Sequence, residues 1–129
     1  MDVPVLLREW WSAIQARRTL PSYSVLCDAA GVTQQSGSAA GESEIRFTWE
    51  QITAVYAFKR DCLAYDQICL VLGSESEKKW IEISEEDSGY GQLVRLLPRF
   101  LPGCLAEDTW WQTVAFPPFE TKWIQLYQR

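Results

Sequence analysis

The stretch from residue 44 to residue 101 constrains the fold most, because strand-like segments follow one another in it until a single helical segment closes it. Residues 44–49 and 52–60 each alternate apolar and polar side chains with a period of two, which is typical of half-buried strands. Residues 65–72 are almost continuously apolar, as expected of a strand covered on both faces. Residues 79–83 return as a strand after a polar loop, and such short connections favour an antiparallel meander.

The helical segment that follows spans residues 90–97. Its apolar stripe consists of Leu93, Val94, Leu96 and Leu97. The acidic residues Glu85, Glu86 and Asp87 stand just before it, where negative charge complements the aligned peptide dipoles of a helix N-terminus. Pro98 removes a backbone donor, so we expect the helix to kink or end there.

Three segments precede this stretch. Residues 3–18 repeat apolar side chains at helical spacing, which predicts an amphipathic N-terminal helix within residues 1–20. Residues 23–28 and 32–35 have strand composition on either side of a turn, and they predict a hairpin. Residues 36–43 are rich in serine, glycine and alanine, so we expect a mobile loop there.

Short aromatic elements follow the central helix. Asp108 is expected to cap a short helix that carries Trp110, Trp111 and Val114. Residues 121–127 alternate in a way that suits a final strand with apolar material on each side.

The length of the chain, 129 residues with 47% hydrophobic side chains, is that of one domain with a substantial core. We therefore predict a single α+β domain over residues 1–129. Residues 1–20 form its N-terminal helix, and residues 23–101 form a bent antiparallel sheet with a following helix. Residues 104–129 add a short helix and a terminal strand as an aromatic C-terminal extension.

The composition argues against several classes of protein. The chain has no histidine, its net charge is −5, and its cysteines lack the CxxC spacing of zinc and thiol-redox sites. We therefore expect no catalytic residues, no metal and no cofactor, and the acidic balance argues against nucleic acid as a partner. An apolar run of the roughly 18 to 20 residues that a membrane span needs is absent from the sequence, as is a secretory signal, so a cytoplasmic protein with buried thiols is expected.

Two groups of residues are candidates for a catalytic site. Glu85 and Glu86 are adjacent carboxylates, but neighbours on a loop rarely converge on one substrate atom, and the start of a helix explains them better. Cys62 has positive charge nearby from Lys59 and Arg60, which lowers the pKa of a thiol. Because no histidine can act as its partner base, we expect Cys62 not to be a nucleophile.

The step from Trp49 to Ile52 within this order of elements resembles the bacterial pleckstrin-homology-like (PH-like) domains over residues 23–101. In that family a strand ending in Trp and a following strand carrying Ile pair across the corner of a bent sheet. The sequence shows six candidate strands before the helix where that fold has seven. The resemblance implies a binding or scaffolding module without catalysis. It does not imply phosphoinositide binding, since Lys59 and Arg60 stand beside Asp61 and are expected to form a solvated bend.

Adjacent tryptophans form the most distinctive functional signal. Trp10–Trp11 and Trp110–Trp111 each place two indoles about 100° apart on a helix, so both cannot face the core. Either the terminal segments pack on one another and cover them, or they form an aromatic surface for a partner, since Trp is favoured at binding hot spots. The candidate partner-contact residues are Trp10, Trp11, Trp110, Trp111 and Trp123.

These observations predict a non-enzymatic protein-interaction module. Two forms of it remain open: a homodimer that meets through an aromatic surface, and an acidic module that binds a basic protein partner, as small acidic immunity proteins bind their toxins. The alternative is a small-molecule-binding domain or minor enzyme that uses a cavity between the sheet and the terminal segments.

Overall fold

The computed structural model describes residues 23–38, 41–61, 66–116 and 123–129. Its first three strands form one antiparallel sheet in the order β1-β2-β3. These strands are β1 (Tyr23–Asp28), β2 (Gly31–Ser38) and β3 (Gly41–Thr48). The predicted strand over residues 23–28 is confirmed at both ends.

The second sheet has four antiparallel strands in the order β6-β5-β4-β7. They are β4 (Ala54–Asp61), β5 (Asp66–Ser74), β6 (Lys79–Ser84) and β7 (Trp123–Gln128). The last strand of the chain therefore pairs with β4, with a register shift between Val55 and Tyr56. The six strands predicted before the central helix are all present in the described part of the chain.

The connection between the sheets is a 3-10 turn, Trp49–Gln51, where the sequence predicts one continuous bent sheet. The turn ends β3 because the side chain of Gln51 accepts a hydrogen bond from the backbone N–H of Thr48 at 2.8 Å. Trp49 is buried, its indole N–H donates to the carbonyl of Asp28 at 2.8 Å, and its ring stacks on Phe100 at 4.9 Å. The chain therefore turns from one sheet into the other at a fixed point.

Two helices complete the described fold: α1 (Tyr90–Phe100) and α2 (Glu107–Ala115). Helix α1 packs against β1 and continues for two residues beyond Pro98, to Phe100, although the proline removes one backbone donor. Helix α2 packs against the second sheet. The core lies between the two sheets and the helices, and its largest members include Phe47, Ile52, Leu70, Ile83, Leu93 and Trp110.

Residues 36–38 and 41–43, which the prediction placed in a mobile loop, lie in strands β2 and β3. The ladder between β2 and β3 continues in register through Ser36–Ser43, Gly37–Glu42 and Ser38–Gly41. Backbone hydrogen bonds hold these residues, and such bonds do not require large side chains. The predicted N-terminal helix lies outside the described residues.

Helix α1 begins without a side-chain cap. Its N-cap is Gly89 with φ of 93°, and the backbone carbonyl of the preceding Ser88 accepts a hydrogen bond from the N–H of Val25 at 2.8 Å. A Cβ atom at Gly89 would lie 1.9 Å from the carbonyl oxygen of Val25, so glycine is what allows α1 to begin directly beside β1.

Replacement of this glycine is the sharpest test of the junction. We expect Gly89→Ala to lower the free energy of unfolding by about 2 kcal/mol or more, because it adds left-handed strain to a backbone clash. Gly91→Ala is the matched control, since nothing lies within 4 Å of its Cβ and it stands inside the same helix. Urea unfolding should show the control raising stability by up to about 1 kcal/mol. Equal effects of the two alanines would contradict the assignment.

Candidate functional site

The tryptophan pair on α2 is divided between core and surface. Trp110 is 1% exposed and packs in the core with Val114, which lies one turn further along the helix. Trp111 is 38% exposed, and its ring meets the exposed ring of Phe116 edge-on at 6.1 Å between centroids. Among the candidate partner-contact residues, Trp111 therefore lies at the surface, whereas Trp110 is enclosed by the protein itself.

Acidic residues surround the exposed indole. Glu107 and Asp108 are exposed in the first turn of α2, four and three residues before Trp111, and such residues are neighbours on a helix surface. We call the group Glu107, Asp108, Trp111 and Phe116 the α2 outer surface.

The negative charge continues beyond this helix. Burial raises the pKa of Tyr90 well above its usual value, and Glu107 and Glu85 raise it further through their charges. Two carboxylates from different elements thus act on the same phenol. Glu107 of α2 and Glu85 of the loop before α1 therefore both lie near Tyr90.

Trp123 lies elsewhere, on the side of the second sheet that faces away from the core. Its ring stacks on Phe58 at 4.6 Å and meets Tyr56 edge-on at 6.0 Å. We call this side the outer sheet face; its buried members are Ala54, Tyr56, Phe58, Cys69 and Val71. The structure therefore does not bring Trp123 together with Trp111.

The predicted solvated bend at Lys59 and Arg60 is wrong, because both residues are buried in β4. Lys59 is 1% exposed and Arg60 is 4% exposed. Lys59 points to the core side, where its ammonium lies 3.5 Å from a carboxylate oxygen of Asp66 and donates to the carbonyl of Ala115 at 3.1 Å. Adjacent strand residues point to opposite faces, so Arg60 projects from the outer sheet face.

Arg60 forms a buried ion pair with Glu82 of β6. Its guanidinium also lies 5.4 Å from the centre of the Phe58 ring, and one of its nitrogens is 3.9 Å from Sγ of Cys69. Burial raises the pKa of Glu82, against the opposing effect of the Arg60 charge. An ion pair between strands leaves no periodic pattern in the sequence. The sequence therefore did not predict that Arg60 and Glu82 pair inside the protein.

The cysteines in the described ranges are buried, as predicted. Burial raises the pKa of Cys27, and it raises the pKa of Cys104 to about 12. Both thiols are therefore protonated at neutral pH and poorly suited to nucleophilic chemistry. Cys62, the cysteine weighed as a nucleophile, lies outside the described residues.

A concavity of about 760 Å³ opens on the first sheet. Residues of all three strands line it together with Gln92 of α1, and they include Leu26, Thr33, Gln35, Arg46 and Phe47. Leu26 is well exposed there. The concavity mixes hydrogen-bonding groups with the apolar side chains of Leu26 and Phe47.

The remaining predictions concern the N-terminal tryptophans, metal binding, membrane spans and the resemblance to a known family. Trp10 and Trp11 lie outside the described residues. Over residues 23–38, 41–61, 66–116 and 123–129, no group of three or more potential ligand side chains is arranged to hold a metal ion, and no helix has the length and apolarity of a membrane span. Comparison of the chain with protein-family models, curated proteins and solved structures finds no match. The resemblance to PH-like domains stays a prediction.

The buried ion pair between Arg60 and Glu82 predicts how the free energy of unfolding depends on pH. Arg60→Met leaves the Glu82 carboxylate buried without its cation, so we expect a loss of about 3 to 5 kcal/mol at neutral pH. The folded protein holds the Glu82 proton more tightly than the unfolded chain does, since burial raises its pKa above 4.5. The carboxylate therefore lowers stability above its folded pKa and has no such effect below about 4.5.

Urea unfolding at several pH values checks this sign. The deficit of Arg60→Met relative to the unmodified protein should shrink as the pH falls towards 4.5. The double variant Arg60→Met, Glu82→Leu removes both charges and should recover most of the loss. A deficit that stays constant with pH would contradict the pairing.

Proposed function

We propose that this protein is a non-catalytic interaction module whose α2 outer surface binds a positively charged segment of a protein partner. The single observation that carries the proposal is the exposure of Trp111, in edge contact with Phe116 and next to the carboxylates of Glu107 and Asp108. Trp is enriched among residues that dominate binding energies.

The chemistry of this surface favours arginine or lysine on the partner. A guanidinium or ammonium over an indole face gains about 0.5 to 2 kcal/mol. Carboxylates beside the ring add charge-assisted hydrogen bonds to the same cation. Glu107 and Asp108 are placed to supply them, one helical turn from Trp111.

The charge of the whole molecule supports a basic partner over a second copy of the chain. The net charge is −5, so two copies repel each other at long range and a cationic protein is attracted. In a symmetric dimer formed through the α2 outer surface, the carboxylates of Glu107 and Asp108 from both copies would lie in one interface and repel each other. Light scattering should accordingly show a monomer, and a dimer that Trp111→Ala dissociates would favour self-association instead.

Binding is tested with a synthetic peptide of alternating arginine and glycine as the probe. In an NMR titration we expect the indole resonance of Trp111 to shift in the unmodified protein, with weaker binding at higher salt. Trp111→Ala should weaken binding at least tenfold. Because this side chain is partly exposed, the substitution should leave the protein folded, as judged by its melting temperature.

Thr113→Ala is the control, since Thr113 is exposed on the same helix but lies about 200° around its axis from Trp111. It should leave the affinity within twofold. Equal binding by the Trp111 and Thr113 variants, or binding that does not weaken with salt, would overturn the proposed function.

The concavity on the first sheet favours a second function, the binding of a small molecule. Its volume falls within the range of about 300 to 1,000 Å³ that is usual for ligand sites, and Arg46, Gln35 and Gln92 supply polar groups. A compound bound there should raise the melting temperature of the protein. Thr33→Trp, which places an indole in the concavity, should abolish that rise, and a metabolite library without such a compound would contradict this function.

A further inference from the structure

The outer sheet face is buried although it turns away from the core. Ala54 and Val71 are 0% exposed and Tyr56 is 1% exposed. In the described part of the chain, the partly buried apolar side chains that pack on this cluster are Trp80 and Trp123, which belong to the two edge strands of the same sheet. Something must lie over the middle of the sheet to exclude water from these three side chains.

Tyr23, the first residue that the structure describes, lies beside the outer sheet face. The backbone N–H of Tyr23 donates to one carboxylate oxygen of Asp87 at 3.4 Å, and the other oxygen accepts from the N–H of Ser84 at 2.9 Å. Ser84 is the last residue of β6, an edge strand of the second sheet. The segment that precedes Tyr23 therefore joins the fold at a corner of the outer sheet face.

We propose that residues 1–20 of this chain cover the outer sheet face with the apolar stripe that their sequence carries. In a helix over residues 3–18 this stripe consists of Val3, Leu6, Leu7, Trp10, Ala13 and Ile14. The proposal is independent of the partner assigned to the α2 outer surface.

The dimensions of segment and sheet agree. A helix over residues 3–18 is about 24 Å long at 1.5 Å per residue. Strand β4 has 8 residues, or about 26 Å, and four strands span about 14 Å between the outermost chains. The residues between Arg18 and Tyr23 can bridge up to about 17 Å when extended, so the segment reaches the middle of the sheet from its corner.

The charges agree with the same placement. Arg17 and Arg18 end the helical pattern, only a few residues before Tyr23. Tyr23 is hydrogen-bonded to Asp87, and the neighbouring Glu85 and Glu86 are exposed. The basic end of residues 1–20 is therefore expected near the acidic residues at this corner of the sheet. This charge complementarity favours residues 1–20 over an acidic segment as the cover of the outer sheet face.

The test uses the full chain with methyl-labelled valine, leucine and isoleucine. We expect nuclear Overhauser contacts between the methyl groups of Val71 and side chains of residues 3–14, and these contacts should arise within one copy. A mixture of labelled and unlabelled chains, observed through an isotope filter, should therefore show none between copies. Contacts from Val71 only to residues beyond 22, or contacts between copies, would overturn the proposal.

Two matched substitutions add a second readout. Ile14→Asp places a charge in the stripe and should abolish the contacts and shift the Val71 methyl resonances. Ser12→Asp adds the same side chain about 160° around the helix and should leave both unchanged. Should Ile14→Asp fail to fold, the contacts in the unmodified chain still decide the question. Identical spectra for the two variants would count against the proposal.

Discussion

The fold depends on the turn at Trp49, because this is where one run of strands becomes two sheets. The indole is tied to the carbonyl of Asp28 at the end of β1 and stacked on Phe100 at the end of α1. One side chain thus links the first sheet, the passage to the second sheet and the helix that packs against β1. Trp49 itself belongs to the core that the two sheets and the helices share.

Periodic patterns predicted the described elements well. Residues 52–60 and 65–72 predicted β4 and β5, and the apolar run in the latter indicated that β5 is covered on both faces. The alternation in residues 52–60 predicted a half-buried strand, which is wrong because both faces of β4 are buried. The prediction missed elements that backbone pairing decides, as in residues 36–38 and 41–43, which form a regular ladder. Backbone hydrogen bonds do not require a large side chain, so a run of small residues does not show in the sequence that its backbone is paired.

Charged residues were harder to place than apolar ones. The sequence predicts Lys59 and Arg60 to face solvent, yet both are buried and paired with groups of other elements: Asp66 of β5 and Ala115 of α2 for Lys59, Glu82 of β6 for Arg60. Only the folded chain brings these groups together, and no spacing rule relates them. The surface position of Trp111 was half predictable, since helical geometry separates adjacent indoles but does not say which of them faces the core.

The bond from Lys59 to Ala115 has a consequence for recognition. It fastens the final turn of α2 to β4, while the N–H of Leu105 fastens the approach to the helix by donating to Leu126 at 3.0 Å. A helix held at both ends keeps its rotation about its own axis. The backbone that carries Trp111 is therefore held in place, which lowers the conformational entropy that the proposed binding would cost.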